Sequence, residues 1–281
     1  MQIPIKTYCI IGNPVQHSLS PAMQNAAFNS MHLNCTYIAF RVSKDELKES
    51  ICSLRSINIA GFNVTMPHKI DVIKYIDELD LIAQKAYSVN TVHNIQGTLR
   101  GYNTDVYGFI EPLHRRKISF NGMIILLLGS GGAARAVVTA LSEESNISKI
   151  IIASRNQKTA RDLVDISVGL GLKCTSVNID NVQNLAARSH LIVNTIPTAT
   201  TNDDSIIGRE HISKDSIVYD IVYKPVTTRL LEEAKDAQAQ IVYGYEMLIE
   251  QGAKAFEIWT GMNAPREAMK KALFGSFGEP I

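Results

Sequence analysis

A lysine closing the segment Asn63-Val64-Thr65-Met66-Pro67-His68-Lys69 and an aspartate closing Gly101-Tyr102-Asn103-Thr104-Asp105 could together pass a proton to or from a hydroxyl group. Both segments break an apolar run where a strand should end. So do His17-Ser18-Leu19-Ser20-Pro21 and Val89-Asn90-Thr91. Parallel sheets gather ligand groups at the carboxyl ends of their strands, so these four segments are candidates to converge. Hydroxyls and amides dominate them, which suits a polyhydroxylated ligand better than an apolar one. Lys69 reads as lying in the first turn of a helix, where the macrodipole disfavours a cation, a setting that suits a proton-transfer group. Asp105 opens another helix, where a carboxylate is stabilised. Each has a plainer reading: Ser20 before Pro21 fits an N-cap, and Asp105 fits a first-turn acid. Together they favour a site.

A second set of residues is suited to phosphate. After the uniformly apolar run Met123 to Leu128 comes GSGGAARAVVTAL, which matches G-x-G-x-x-A at Gly129, Gly131 and Ala134. Gly129 permits the tight turn, Gly131 lets backbone N–H groups approach a pyrophosphate, and Ala134 lets the helix lie close to the strand. The contacts expected there are Gly129, Ser130, Gly131, Gly132 and Ala133. The plain alternative is a glycine-rich turn without a ligand. A site for NAD places an acid at the end of the second strand, about 20 residues on. This chain has Ser154, Arg155, Asn156 and Lys158 there and no carboxylate. A guanidinium can clamp a 2′-phosphate and a nearby lysine adds charge, so NADP is the expected cofactor. The competing reading of Arg155 and Lys158 is a solvated helix start. A methyltransferase can carry a similar first turn, but it wants the acid missing here.

Positioning these groups requires strands alternating with helices. Strands are expected near 8–12, 35–42, 60–65, 88–93, 123–128, 149–153, 173–177, 191–195, 216–220 and 240–243. Helices are expected near 21–32, 44–55, 68–79, 105–115, 132–144, 157–168, 228–237, 246–259 and 265–273. This alternation predicts an α/β fold with mainly parallel sheets. The basic stretch His114-Arg115-Arg116-Lys117 and Asn121-Gly122 mark a boundary. From there six strands end near Gly244, enough for a complete doubly wound nucleotide domain. The expected division is a substrate domain over 1–117, a Rossmann-type NADP domain over 118–244, and C-terminal helices over 245–281 that return to the first domain.

The bulk numbers narrow the partners. At 281 residues with 46% hydrophobic and 20% charged side chains, the chain can bury two cores. A net charge of +1 gives no electrostatic reason for nucleic acid or an anionic membrane. The four cysteines, Cys9, Cys35, Cys52 and Cys174, form no C-x-x-C pair and read as free thiols rather than metal ligands. The opening MQIPIKTYCIIGNPV lacks the flank and apolar length of a secretion signal, and no run reaches the roughly 18 apolar residues of a span. A cytoplasmic protein acting on a small molecule is expected, with no metal.

In this order, the segments resemble the shikimate dehydrogenase family. The matching stretches are Ser18 to Pro21, NVTMPHK at 63–69, VNTV at 89–92, GYNTD at 101–105, GSGGAARA at 129–136, SRN at 154–156, DIVYKP at 220–225 and EMLIEQGAKAFEIWTG at 246–261. The resemblance implies reversible reduction of 3-dehydroshikimate to shikimate with NADP, a step of chorismate and aromatic amino acid biosynthesis. By the same resemblance, Lys69 and Asp105 are the catalytic pair and Ser18 and Ser20 hold the substrate carboxylate. Thr65, Asn90, Tyr223 and Gln251 bind its hydroxyls or ring edge. Thr195, Ile221 and Gly244 lie toward the nicotinamide, and the protein is a monomer or homodimer. The chain departs from the family at Gln24, in place of a histidine, and at Tyr87-Ser88, in place of Gly-Ala. It departs again at Ile196 and Ala199, in place of a threonine and a glycine. A quinate-oxidising or NAD-using paralogue is one alternative reading, and a weakly active small-molecule binding protein is another. The second has no need of a proton-transfer pair.

Overall fold

The computed structural model describes residues 5–197 and 205–277. They divide into two compact units, one of the residues through Gly108 together with those from Ile249 onward, the other Phe109–Leu248. Both divisions fall inside helices, α4 (Thr104–Arg115) and α9 (Gly244–Thr260). Among the described residues no helix is long and apolar enough to cross a membrane.

The first unit holds a six-stranded sheet of β1 (Lys6–Gly12), β2 (Cys35–Arg41), β3 (Gly61–Val64), β4 (Glu78–Leu79), β5 (Thr91–Ile95) and β6 (Thr98–Tyr102), in the order β2-β1-β3-β5-β6-β4. One face packs Ile11, Phe62, Val92 and Leu99 against Ile51 and Leu54 of α2 (Leu47–Ser56). The other stacks Tyr8 on Phe28 of α1 (Ser20–Ser30) and on Trp259 of α9. Here α9 returns to the first sheet, as the strand count implied: the Trp259 indole donates to the Val92 carbonyl at 3.0 Å. Then α10 (Arg266–Phe277) packs along α1, burying Met269 and Leu273.

This sheet is mixed where parallel strands are expected, because β5 runs antiparallel to both β3 and β6. The β5–β6 connection is the two-residue turn Gln96-Gly97, with both φ angles positive at 53° and 95°. That backbone is the one a tight hairpin requires. Gln-Gly advertises it less plainly than Asn-Gly, so β6 escapes a reading of the sequence.

The helix expected over 68–79 is absent. Only a 3₁₀ turn, Asp71–Tyr75, forms there, followed by β4 and by α3 (Leu81–Ala86). The chain is captured by its neighbours: Val89 N–H takes the Lys69 carbonyl at 2.8 Å, and Asp77 N–H takes the Leu99 carbonyl at 3.0 Å. The branched residues Ile70, Val72, Ile73 and Ile76 also favour extended backbone. The Asp80 carboxylate accepts from Ala83 N–H at 2.7 Å, which starts α3 afresh.

The second unit holds β7 (Ile124–Leu128), β8 (Lys149–Ser154), β9 (Cys174–Asn178), β10 (Leu191–Asn194), β11 (Ile217–Asp220) and β12 (Gln240–Tyr243). Their order is β12-β11-β10-β7-β8-β9, with every pairing parallel. Numbered within the unit this is 6-5-4-1-2-3, the doubly wound dinucleotide arrangement. The helices are α5 (Gly132–Ser142), α6 (Gln157–Gly169), the single turn α7 (Gln183–Ala186) and α8 (Arg229–Asp236). Leu126 and Leu128 of β7 sit in one buried cluster with Ile151, Ile192 and Val218.

Candidate functional site

In the first unit three of the four polar segments meet at one edge of the sheet, and the fourth, residues 17–21, follows β1, which ends at the same edge. Strands β1, β3 and β6 end there, and β5, being antiparallel to β3 and β6, begins there, so Asn90 joins Thr65 and Tyr102. Backbone bonds fix the meeting: Val64 N–H to Asn90 O at 2.8 Å, Asn90 N–H to Tyr102 O at 3.1 Å, and Thr65 N–H to Ile11 O at 2.9 Å.

There the Lys69 ammonium donates to Asp105 Oδ2 at 2.6 Å. Lys69 occupies the turn before the five-residue 3₁₀ segment, not the first turn of an α-helix, so the expected dipole argument does not apply to it. Its carbonyl bond to Val89 N–H holds it beside Asn90 instead. Asp105 sits in the first turn of α4 and is 5% exposed. It is not needed as a cap, because Asn103 Oδ1 accepts from the Asp105 N–H at 3.1 Å. Its other oxygen, Oδ1, accepts from Asn90 Nδ2 at 2.8 Å. Asn90 Oδ1 in turn accepts from the Thr104 N–H at 2.7 Å, which settles which end of that amide faces Asp105. The result is a carboxylate facing two donors, one of them an amine at the partly exposed mouth of the site.

Ser20 is buried as the first residue of α1; the N-cap is Leu19, and no side chain caps the helix. The capping role open to Ser20 is therefore not the one it plays. Ser18 Oγ accepts from Ser20 N–H at 3.3 Å, which ties the Ser18 side chain to the start of α1. Thr65 is half-buried after β3, and Gln251 is half-buried on α9. The neighbouring Gly252 carbonyl accepts from the buried Gln24 amide at 2.8 Å, so Gln24 supplies a donor where the family has histidine. Tyr87 ends α3 in the left-handed conformation, φ 45° and ψ 45°, with 57% of its surface exposed. Glycine is the natural residue for that backbone, which accounts for the family's choice. Tyr87 adopts it with its bulk outward, so Ser88 and Asn90 keep their places: Ser88 O accepts from Asn103 Nδ2 at 2.9 Å.

In the second unit the turn after β7 lies at the switch point, where the chain winds one way to β8 and the other way to β10. Gly129 has φ 103°, and a Cβ there would strike the Thr195 hydroxyl, which donates to Leu128 O at 2.7 Å. Gly131 differs. A Cβ there would touch no protein atom, so packing does not call for glycine; an anion drawn to the N-terminus of α5, which Gly131 caps, would. Gly132 and Ala133 open that helix, and Ser130 directly precedes its cap. The Ser130 hydroxyl lies 2.9 Å from Ser154 Oγ and 2.7 Å from Thr159 Oγ1, a cluster of hydroxyls at the end of β8. Asn156 caps α6, its Oδ1 accepting from the N–H groups of Lys158 and Thr159 at 3.1 and 3.2 Å. Arg155 and Lys158 are exposed and, among the described residues, have no ion-pair partner. These residues fit a dinucleotide carrying an extra phosphate: open glycine, helix N-terminus, hydroxyl cluster and two available cations.

The far side of this sheet edge carries Asn194, Thr195, Ile221 and Gly244. A Cβ at Gly244 would strike the backbone of Ile221 and Val222, so only glycine lets α9 start there. Ile196 packs into the core cluster, which gives the isoleucine a structural use; Ala199 lies outside the described residues. Asp220, 1% exposed, was not singled out by sequence reading. Its carboxylate accepts from Thr228 Oγ1 at 2.6 Å, Asn194 Nδ2 at 3.0 Å and Val222 N–H at 3.0 Å. Burial raises its pKa above the ordinary carboxylate value, the three hydrogen bonds acting against that. It ties the end of β10 to the loop carrying Ile221 and Tyr223, whose phenol pKa burial also raises. Its signal in the sequence is slight: an acid ending an apolar strand and followed by an extended loop.

Known proteins resemble the whole chain. Residues 10–92 match the family model described as shikimate dehydrogenase substrate binding domain, and residues 244–274 match shikimate 5'-dehydrogenase C-terminal domain. Between them, residues 125–242 match saccharopine dehydrogenase NADP binding domain. A protein of Nitrosopumilus maritimus named shikimate dehydrogenase (NADP(+)) is 47% identical over 272 residues, covering 97% of this chain and 99% of that one. The crystal structure of a shikimate dehydrogenase in complex with NADP+ is 39% identical with a TM-score of 0.88, covering 97% and 96% of the two chains. A shikimate 5-dehydrogenase from Listeria monocytogenes in complex with shikimate and NAD is 33% identical with a TM-score of 0.87, covering 96% of each chain.

Proposed function

The chain belongs to the shikimate dehydrogenase family, and from that premise we propose that it is an NADP-dependent shikimate dehydrogenase. The observation that carries this reading is the Lys69–Asp105 contact at 2.6 Å, with Asn90 bound to the other carboxylate oxygen. Bound NADP supplies the hydride acceptor in one direction and the donor in the other. In oxidation Lys69 enters as the neutral amine: the substrate C–H bond breaks with its electron pair leaving as hydride, the O–H proton passes to the lone pair of Lys69 Nζ, and the C=O bond forms. In reduction Lys69 returns that proton to the oxygen. Asp105, held by Asn90, fixes the amine and balances its charge when it is protonated.

Ser18 and Ser20 would hold the substrate carboxylate, and Thr65, Asn90, Gln251 and Tyr223 its hydroxyls and ring edge. Gly129, Ser130, Gly131, Gly132 and Ala133 would take the pyrophosphate. Ser154, Arg155, Asn156 and Lys158 would take the 2′-phosphate, and Thr195, Ile221 and Gly244 would lie toward the nicotinamide. Residues 118–244 are then the cofactor domain, and the protein works in the cytoplasm as a monomer or homodimer. The test is steady-state turnover of shikimate and of quinate, each with NADP and with NAD, compared as four values of kcat/KM. Shikimate with NADP should give the highest. Absence of turnover on shikimate with either cofactor sinks the reading, and a preference for quinate assigns the chain to the paralogue.

A further inference from the structure

A buried chain of hydrogen bonds runs from Tyr37 to the proposed catalytic pair, and its direction can be worked out proton by proton. Asn63 Nδ2 lies 3.1 Å from the carbonyl of Asn90 and 2.9 Å from Thr91 Oγ1. A backbone carbonyl only accepts, so that end of Asn63 must be the amide nitrogen. Its Oδ1 must then accept, and the donor is the Tyr37 phenol at 2.6 Å. Tyr37 has then given its one proton to Asn63. Further along, Asn90 Oδ1 receives the Thr104 N–H at 2.7 Å and lies 3.1 Å from the Thr91 hydroxyl, and Asn90 Nδ2 faces Asp105 at 2.8 Å. Thr91 and Thr104, 3.1 Å apart, hold the only protons left with a choice of partner.

All these side chains are buried, Thr91 fully so; they come from β2, β3, β5 and α4, with Asn90 directly before β5. Tyr37 cannot drift. Asn25 of α1 grips its backbone twice, at 2.8 Å to the carbonyl and 2.8 Å from the N–H, and its ring lies against Trp259. Burial, with the Cys9 thiol adding to it, holds the phenol pKa well above its ordinary value, so the proton it donates stays in place.

We propose that Tyr37, Asn63 and Thr91 are positioning residues for the Lys69–Asp105 pair, fixing the amide of Asn90 so that only donors face the Asp105 carboxylate. The inference rests on the dehydrogenase reading above and adds residues that touch neither substrate nor cofactor. Removing the phenol oxygen should loosen Asn63 and the pair beyond it while leaving the substrate contacts in place, so kcat should fall without a change in KM, a split that general destabilisation would not produce.

The experiment is Tyr37→Phe, with kcat, KM for shikimate, KM for NADP and melting temperature measured beside the wild type. Expected is a fall in kcat of about tenfold, the equivalent of one buried hydrogen bond, with KM for shikimate and KM for NADP unchanged. A kcat within twofold of wild type overturns the proposal, as does a rise in KM for shikimate in step with the loss of kcat. Should Tyr37→Phe fail to fold, Thr91→Val decides by the same split, since it removes a central hydroxyl and keeps the shape. Wild-type turnover is measured first: its absence on shikimate defeats the dehydrogenase reading, whereas the ratio of variant to wild type bears on the network.

Discussion

Lys69 and Arg155 are the single side chains on which most of the proposed chemistry turns. Lys69→Ala removes the proton-transfer group and leaves the Asn90–Asp105 bond intact, so kcat should fall by roughly 10²–10⁴-fold. Shikimate should still bind, as read by calorimetric titration; an unchanged kcat would remove Lys69 from its role. Arg155 is exposed and has no ion-pair partner among the described residues, so its replacement costs the fold nothing visible. Arg155→Ala should raise KM for NADP by roughly ten- to hundredfold, the worth of a charge-assisted hydrogen bond, and leave KM for NAD nearly alone. Equal effects on both cofactors contradict the phosphate clamp. At this scale the sequence is readable where chemistry demands particular residues in a fixed local order. The GSGGAARA turn is such a place, because a phosphate site needs its glycines at set intervals. Tyr37 is not: it lies on an ordinary strand, and its partner Asn63 is distant in the chain. Asp220 is hidden for the same reason, its contacts with Asn194 and Thr228 being made only once β10 and β11 lie side by side.

Elements were legible in proportion to how much of their stability is local. β7 could be read from its apolar run alone, because a strand covered on both faces needs no polar alternation. Leu126 in it is fully buried, so Leu126→Ala should cost roughly 2–5 kcal/mol. Denaturant unfolding checks this, and kcat measured well below the melting temperature should stay near wild type, since Leu126 touches none of the proposed contacts. A loss of stability below 1 kcal/mol would mean the cluster refills the space, at odds with close packing. By contrast β4, at two residues, and β6, at five with an arginine and a glycine inside, exist because neighbours hold them. The same capture turned the apparent helix over 68–79 into a 3₁₀ turn and a strand, and with it moved Lys69 out of any helix. Lys69 meets Asp105 all the same, because what places Lys69 is the bond from Val89 N–H rather than a helix axis.

At the scale of the molecule, the first unit is discontinuous in sequence: its sheet comes from the start of the chain and two of its helices from the end. Counting six strands to Gly244 exposed this, because no seventh strand remained for the last helices to join. The arrangement makes the substrate half depend on residues far from any motif. Met269 and Leu273 of α10 are fully buried, and losing two such side chains costs roughly 4–10 kcal/mol, comparable with the whole stability of an ordinary domain. Arg266 adds ties to Glu250 at 2.9 Å and Glu257 at 3.0 Å, both on α9. A chain ended after Thr260 should therefore lose the first unit's cooperative melting while the second unit, Phe109–Leu248, remains whole. Ligands then separate the halves, since each stabilises only the unit that binds it. Saturating NADP should still raise the melting temperature of the shortened chain, and shikimate should no longer do so. If shikimate raises it by as much as in the full chain, α10 is dispensable to the substrate half, and the burial of Met269 and Leu273 has been overvalued.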